Sequence, residues 1–203
     1  MSGPRRAFGR GFLGFVRLCS RAYAKGYSVC AAGGFASFGS ASVIQPPVRL
    51  QGEERIAIGR GVFVGAGSWL QVLDGCDSPV AIAIGDGVSI AGGCVISSAR
   101  SVSLGREVLL ARNVYIADHQ HAFGDPDRAV LAQGIERIEP VEICDGAWLG
   151  ENVVVGPGVR IGHGSVVGAN AVVLASIPDR CVAVGAPARV VRELDPVGIE
   201  AAR

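Results

Sequence analysis

Residues 141–173 read VEICDGAWLGENVVVGPGVRIGHGSVVGANAVV. An aliphatic side chain returns every six residues along this stretch, at Ile143, Leu149, Val155, Ile161, Val167 and Val173. Repetition at a fixed period indicates that one small structural unit stacks on its neighbours to build a continuous core. The stretch therefore predicts a stacked repeat.

The same period continues upstream in blocks of three hexapeptides. The further triplets are Ile58/Val64/Leu70, Ile84/Ile90/Ile96 and Leu104/Leu110/Ile116. The period is interrupted after Leu70, Ile96 and Ile116, each time after a completed triplet. If one hexapeptide forms a short strand and a turn, three form a triangular coil whose aliphatic residues stack about 4.8 Å apart. A β-sandwich would not keep this period through fifteen positions.

Composition and the residues beside the aliphatic positions agree with a tightly turning, strand-rich chain. The chain has 203 residues, of which 30 are glycine and 49% are hydrophobic, but only 6% are aromatic. This composition excludes a disordered chain, and the absence of a Gly-X-Y period excludes collagen. A small residue follows many of the aliphatic ones, as expected at crowded corners: Gly59, Gly65, Gly85, Ala91, Gly150, Gly162 and Gly168. We predict five coils over about residues 56–178.

Charge and cysteine usage limit the partners and the compartment. The formal net charge of +1 indicates no nucleic-acid partner. The six cysteines show no CxxC spacing and are expected as free thiols in a reducing cytoplasm. Basic residues interrupt every apolar run near the N-terminus, so we predict neither a signal peptide nor a membrane-spanning helix.

Residues 5–25 form a separate basic segment. On a helical wheel, Phe8, Phe12, Phe15, Val16 and Cys19 share one side, and the basic residues Arg10, Arg17, Arg21 and Lys25 share the other. Such a helix either lies on an anionic membrane or packs on the first coil or on a neighbouring subunit. Both interpretations stay open at this stage, and a peripheral position on the inner face of the cell membrane goes with the first.

The repeat resembles that of the hexapeptide-repeat acyltransferases, which form a left-handed parallel β-helix. Three segments resemble in particular the maltose, galactoside and capsule or exopolysaccharide O-acetyltransferases: residues 141–173, VYIADHQHAF at 114–123 and SIPDRCVAVGAPARVVRE at 176–193. The resemblance covers about residues 56–193, with residues 1–55 as a lead-in, a protruding loop over 122–140 and a tail over 194–203. It implies a homotrimer in which acetyl-CoA is the co-substrate and a sugar or glycan hydroxyl, in surface-polysaccharide or lipid-linked glycan synthesis, is the acceptor.

The chain has three histidines, so few residues are candidates for a general base. Acetyl transfer from a thioester to an alcohol needs a base that titrates near neutral pH, which imidazole does. His119 matches the family's catalytic histidine. Asp118 or a backbone carbonyl group is the candidate for orienting its ring, and His121 is a candidate for touching the acceptor. His163 lies within a regular repeat and is expected to be a surface side chain. The cysteines need no role.

The resemblance also implies a donor site. Trp148, Gly150, Gly168 and Ala169 match positions that line the coenzyme A groove, and Arg189 and Arg192 match basic residues near its phosphates. Two departures concern the ligands. Leu174-Ala175 stand where the family often has Thr-Lys, so a lysine contact to the donor is missing. Ala91-Gly92-Gly93 stand where small-sugar acetyltransferases carry an Asn-rich segment, so we expect a different acceptor.

Three alternatives use the same fold. A zinc carbonic anhydrase of the β-helix type needs three histidine ligands, but His163 lies more than two coils beyond His119, and we expect no metal. A serine or other small-molecule acetyltransferase is a second alternative, although the serine enzymes carry a large helical domain. A non-catalytic β-helix scaffold is the third. Consumption of acetyl-CoA with a sugar would discriminate among them.

Overall fold

The computed structural model describes residues 4–194. It begins with one long helix, α1 (Pro4–Ala31), which is followed by a 3₁₀ turn at Ala32–Gly34 and then by a coil of short strands. A second 3₁₀ turn covers Glu53–Arg55, and a four-residue helix, α2 (Val130–Gln133), lies in the longest insertion.

The strands follow one another with little else between them. In chain order they are β1 (Ser37–Phe38), β2 (Val43–Ile44), β3 (Arg49–Gln51), β4 (Ile56–Ile58), β5 (Phe63–Val64), β6 (Trp69–Val72), β7 (Ile82–Ile84), β8 (Ser89–Ile90), β9 (Val95–Ser98), β10 (Val102–Leu104), β11 (Leu109–Leu110), β12 (Tyr115–Ala117), β13 (Gln120–His121), β14 (Ile135–Glu136), β15 (Val141–Ile143), β16 (Trp148–Leu149), β17 (Val154–Val155), β18 (Arg160–Ile161), β19 (Val166–Val167), β20 (Val172–Val173), β21 (Cys181–Val184) and β22 (Arg189–Glu193).

Three sheets form the sides of a triangular prism. Face A has the strand order β1-β4-β7-β10-β15-β18, face B has β2-β5-β8-β11-β16-β19-β21-β22, and face C has β3-β6-β9-β12-β17-β20. Neighbouring strands within each face are parallel, except for the terminal pair β21 and β22. The registers place Ile58 beside Ile84 and Ile84 beside Leu104. The predicted mostly-β fold of parallel coils with an N-terminal helix is confirmed.

The coils begin earlier in the structure than the sequence predicts. We predicted that residues 1–55 lead into a first coil at about residue 56, but β1, β2 and β3 already form a layer that pairs with β4, β5 and β6. Phe38, Ile44 and Leu50 keep the six-residue period in this layer. The period was missed because Phe38 is aromatic and because the turn Glu53–Arg55 lengthens the step from Leu50 to Ile58.

The core is a column of aliphatic side chains inside the prism. The largest fully buried ones include Ile58, Leu70, Ile90, Ile116 and Leu149. Burying one such side chain contributes roughly 1.5–3 kcal/mol. Since every coil supplies three of them, the column stabilises each coil through the coils above and below it.

The corners explain the small residues and the positions of the insertions. A Cβ atom at Gly59 would lie 2.8 Å from the backbone nitrogen of Asp86, and one at Gly105 would lie 2.6 Å from that of Asp145. These distances leave no room for a side chain where the corner of one coil passes the next. The long connections 73–81 and 118–140 both lie at the corner between faces C and A. The stack therefore stays regular while one edge varies.

Truncation of the aliphatic column should be costly. We expect Ile116→Ala to lower the free energy of unfolding by about 2–5 kcal/mol, because it leaves a cavity between two coils that cannot collapse. Urea unfolding followed by circular dichroism measures this loss. Leu131→Ala is the matched control, since Leu131 is 88% exposed and its truncation should leave the midpoint unchanged. Equal midpoints for the two variants would contradict the column as the source of stability.

Candidate active site

The DHQH segment lies at the C–A corner. Asp118 and His119 directly follow β12, and their aliphatic predecessor Ile116 is the last inward-pointing residue of that coil. The short connection 99–101 of the preceding coil runs beside them at the same corner. The repeat is therefore abandoned where two successive insertions meet.

Asp118 takes an inward position and is completely buried. Its carboxylate oxygens accept five hydrogen bonds in all. One comes from the Ser98 hydroxyl (2.8 Å) and one from the His119 ring (2.8 Å). The other three come from the backbone N–H groups of Ala99 (2.7 Å), Arg100 (2.8 Å) and Ser101 (2.7 Å). The connection between β9 and β10 thus wraps around this one side chain.

The hydrogen bonds keep Asp118 ionised. Burial alone raises the pKa of the carboxyl group, but the bonds from His119, Ala99, Ser98 and Arg100 outweigh it and lower the pKa to about 2. Each of these donors stabilises the charged form and not the protonated one. Asp118 is therefore a carboxylate at every pH at which the protein is expected to work.

Asp118 in turn sets the proton on His119. The His119 Nδ1 atom lies 2.8 Å from Oδ1 of Asp118, and the His119 side chain is 10% exposed. An ionised carboxylate only accepts hydrogen bonds, so the proton of the neutral ring sits on Nδ1. Nε2 is left with a free lone pair. A histidine held in this way can take a proton from a bound hydroxyl group.

The segment after His119 forms an arm. Strand β13, which contains His121, pairs antiparallel with β14, and the Gln120 side chain bonds to Glu136 (3.0 Å). The backbone N–H of Glu139 then bonds to the Asp118 carbonyl oxygen (2.8 Å), which returns the chain to the prism. The segment predicted as a protruding loop, residues 122–140, thus contains α2 and β14, and β14 pairs with β13 just before it. His121 is exposed on β13.

The residues predicted to hold the donor lie elsewhere on the prism. Trp148 begins β16 on face B and is 47% exposed. Gly150, Gly168 and Ala169 lie at the B–C corner, where a Cβ atom at Gly150 would be 2.6 Å from the Ala169 nitrogen.

Arg189 and Arg192 lie on β22 with exposed side chains. Within the part of the chain that the structure describes, neither is in an ion pair and neither forms a hydrogen bond with His119. A single protomer therefore does not join the donor residues to the Asp118–His119 pair.

His163 lies far from this pair. It is exposed at the A–B corner, where its backbone N–H bonds to Asp179 (2.9 Å). Over residues 4–194 there is no cluster of three or more His, Cys, Asp or Glu side chains that could hold a metal ion. The three histidine ligands of the zinc alternative are thus not assembled within the described part of one chain.

Sequence reasoning missed Ser98 and the connection 99–101. The signal was present, because the six-residue period is interrupted between Ile96 and Leu104 as it is after Ile116. Two interruptions at one corner of consecutive coils indicate that the inserted residues touch. What the sequence did not show is that the shorter insertion donates its backbone N–H groups to the acid.

The outward side chains differ among the three faces. Face A is small or polar, with Ser37, Ala57, Ala83, Ser103, Glu142 and Arg160 in register. Face B is largely apolar, with Val43, Phe63, Ser89, Leu109, Trp148 and Val166. Face C is also largely apolar, with Arg49, Trp69, Val95, Tyr115, Val154 and Val172. Apolar stripes of this length indicate contact surfaces.

Taken together, the structure is a stack of triangular parallel coils with a histidine held by a buried carboxylate at the insertion corner. A family model described as bacterial transferase hexapeptide (six repeats) matches residues 140–175. This part of the chain thus carries the repeat of the bacterial hexapeptide transferases.

Two curated relatives are similar over most of this chain. A probable acetyltransferase of Mycobacterium tuberculosis is 36% identical over 138 residues, which are 68% of this chain and 44% of the relative. The galactoside O-acetyltransferase of Escherichia coli is 31% identical over 162 residues, 79% of this chain and 65% of the relative. The chain thus spans less than two thirds of the length of each.

Solved structures agree with the fold. A hexapeptide-repeat acetyltransferase of Vibrio cholerae, complexed with acetyl coenzyme A, is 27% identical with a TM-score of 0.62, and the match covers 85% of this chain and 78% of that one. The N-acyltransferase AntD of Bacillus cereus is 18% identical with a TM-score of 0.69, and the match covers 83% of this chain and 88% of that one. The second likeness concerns the fold alone.

The buried carboxylate should make stability depend on acid pH. Because the folded pKa of Asp118 is about 2 and the ordinary value is 3.8, its contribution is complete above about pH 4 and is lost as pH falls toward 2. Asp118→Asn should unfold about 1–3 kcal/mol more easily at neutral pH, because its amide cannot accept all the bonds. It should also lose less stability than the wild type between pH 4 and pH 2.

Urea unfolding at a series of pH values measures both effects. Asp77→Asn is the control, since Asp77 is an exposed aspartate on the neighbouring connection and its replacement should reproduce the wild-type profile. An Asp118→Asn protein with wild-type stability and wild-type acid sensitivity would contradict the anchoring of this carboxylate.

Proposed function

We propose that the protein is an acetyl-CoA-dependent O-acetyltransferase that acts on a sugar hydroxyl, with His119 as general base. The observation that carries the proposal is the bond from His119 Nδ1 to the buried, ionised Asp118 (2.8 Å) at the insertion corner. A solvated surface histidine would have no need of an acid anchored by five donors. The likeness to named acetyltransferases supports the class of reaction.

The chain's own residues suffice for the proton transfers. Nε2 of His119 takes the proton of the acceptor hydroxyl while its oxygen attacks the thioester carbonyl carbon. The C–S bond then breaks, and the imidazolium returns the proton to the departing sulfur. Asp118 holds the ring and stabilises its positive charge without taking the proton. The acetyl group passes directly to the acceptor, and no cysteine is acylated.

The donor residues fit a long, phosphorylated thioester. Trp148 offers a half-exposed ring on face B, and Gly150 and Gly168 lie at the neighbouring corner, where the coils pass closely. Arg189 and Arg192 present two exposed guanidinium groups near the end of the prism, and guanidinium groups bind phosphates well. Acetyl-CoA is the donor that we propose. The acetyl coenzyme A bound by the Vibrio cholerae protein supports this choice.

We also propose a homotrimer of left-handed coils with the sites between protomers. The apolar stripes of faces B and C need covering, and a closed ring of three prisms covers one with the other. The polar face A then stays in water. A single chain does not join the donor residues to His119. The proposed trimer does, because it brings face B of one protomer next to the C–A edge of its neighbour, where His119 lies.

The acceptor that we propose is a sugar of a surface polysaccharide or its lipid-linked precursor. The name of the galactoside O-acetyltransferase supports a sugar, whereas Ala91-Gly92-Gly93 replace an Asn-rich segment of the small-sugar enzymes. An acceptor outside the sugars, such as serine, is the alternative within the same chemistry. A panel of nucleotide sugars, free sugars, lipid-linked oligosaccharides and serine, assayed by release of free coenzyme A, separates them.

Removal of the base should stop turnover without unfolding the protein. We expect His119→Ala to lower kcat by about 10²–10⁴ with a smaller change in KM, since the imidazole acts in the transition state. His121→Ala should mainly raise the acceptor KM, and His163→Ala should be nearly silent. Steady-state kinetics with the best acceptor of the panel measure these effects, and circular dichroism checks the fold.

His163→Ala is the matched control for His119→Ala, because His163 and His119 both lie at corners of the same prism. Full transferase activity of His119→Ala would contradict the mechanism. Stoichiometric zinc that depends on His119 would also contradict it, since His119 would then be a ligand.

The assembly can be tested separately. We expect sedimentation velocity to show a trimer at micromolar concentration. Leu109→Glu should shift it toward the monomer, because it places a charge in the face B stripe where Leu109 is 44% exposed. Ser103→Glu, on the polar face A, is the control and should remain trimeric. A wild-type monomer would contradict the proposed assembly.

A further inference from the structure

The N-terminal part of α1 is exposed. All residues from 11 to 23 are exposed, whereas Ala24 and Ser28 are buried, at 4% and 2% exposure. The Ser28 hydroxyl accepts a hydrogen bond from the backbone N–H of Ile44 (2.8 Å) and so fastens the last turns to β2. The last turns of α1 are thus fixed to the prism, whereas residues 11–23 have no buried side chain.

The exposed half carries an apolar stripe that faces away from the prism. At about 100° per residue, Phe12, Phe15, Cys19 and Tyr23 fall within roughly 80° of one another. Ala24 and Ser28 point in nearly the opposite direction. Phe12, Phe15 and Tyr23 are 57%, 64% and 64% exposed. Because the attachment holds the other side of the helix against the prism, the protomer's own coils cannot cover this stripe.

The helix is also strongly cationic. Six of the 19 basic residues and none of the 18 acidic residues lie in α1. Arg17, Arg21 and Lys25 line a groove between the helix and face B. The remainder of the chain has an excess of acidic residues. The positive charge is therefore concentrated on an element that also carries an exposed apolar stripe.

The exposed half is a poor helix by itself. Gly9, Gly11 and Gly14 each disfavour the helix by roughly 1 kcal/mol relative to alanine. None of these glycines has a contact that a side chain would disturb, so close packing on the prism does not explain them. A surface that buries the stripe would offset their cost.

We propose that residues 10–23 of α1 bind the surface of an anionic lipid bilayer. The stripe of Phe12, Phe15 and Tyr23 lies at the boundary between headgroups and acyl chains. Arg17, Arg21 and Lys25 lie on the opposite side of the helix, and within a Debye length their charge attracts the anionic headgroups across the width of the helix. A second copy of this chain presents both signs of charge, whereas an anionic bilayer presents one. A helix with six cations and no acid complements the bilayer. The proposal does not depend on the transferase activity.

The described residues contain no helix long and apolar enough to cross a membrane. The contact that we propose is peripheral and reversible. Binding should therefore weaken with salt, because part of the attraction is electrostatic.

Vesicle co-sedimentation of the full chain tests the proposal. We expect the wild-type protein to pellet with vesicles of phosphatidylcholine and phosphatidylglycerol in equal parts, and not with phosphatidylcholine alone. Phe12→Ser/Phe15→Ser should lose at least about tenfold in affinity, since two large apolar side chains no longer insert. Arg17→Gln/Arg21→Gln should lose about fivefold for each charge removed. Circular dichroism should show more helix when anionic vesicles are added.

A matched control is available on the arm. Phe123 and Leu131 are 65% and 88% exposed, so Phe123→Ser/Leu131→Ser removes a similar apolar area outside α1 and should leave vesicle binding unchanged. Loss of binding in this control would overturn the assignment to α1. So would equal pelleting with the two kinds of vesicle, or wild-type binding by Phe12→Ser/Phe15→Ser.

Sedimentation velocity without lipid tests whether a second copy of the chain covers the stripe instead of a bilayer. If the wild type does not pellet with vesicles and Phe12→Ser/Phe15→Ser reduces the oligomer mass, a second copy covers the stripe and the proposal is wrong. Transferase assays on the same proteins stay separate, because no residue of α1 has a role in the proposed chemistry. An inactive protein that still binds anionic vesicles would contradict the proposed function and leave this inference standing.

Discussion

The six-residue return of an inward aliphatic side chain is the constraint on which the rest of the molecule depends. Each buried residue stacks on its equivalent one coil away, so no coil is stable without its neighbours. The stacking also fixes the corners, because the backbone of one coil passes within van der Waals distance of the next. Only small residues fit there. Variation is therefore confined to insertions at the C–A corner, and the Asp118–His119 pair lies where the insertions are.

The same stacking makes a buried aspartate useful. Asp118 occupies an inward position that a hydrophobic residue would normally take, and an unpaired carboxylate there would be very costly. The short connection of the preceding coil supplies the donors that make the charge tolerable. The result is a rigid acceptor for Nδ1 of His119. Because both connections are held by the stack, the orientation of the ring follows from the fold and not from a flexible loop.

The helix α1 stands outside this scheme. It carries no layer of the column, and only its last turns are fixed to β2. Its apolar stripe and its cations were visible in the sequence as two sides of a wheel, but the two interpretations of that wheel, membrane contact and packing on the first coil, could not be separated there. The structure shows that the packing side and the stripe are opposite sides of the helix. The last turns therefore pack on the first coil, whereas membrane contact by the stripe stays a prediction.

The sequence by itself determined the class of fold and the coils from Ile58 to Val173, and it predicted the segment around His119 as the candidate site. The six-residue period, the small residues at the corners and the interruptions of the period are local properties that can be read along the chain. The first layer at Phe38, Ile44 and Leu50 escaped because an aromatic residue and a short turn hide the period there. Only the tertiary structure decided that Ser98 and the backbone of residues 99–101 hold Asp118, because these contacts join residues of different coils. Only the stacking of the coils decided which outward side chains share a face, since the members of one face come from different coils.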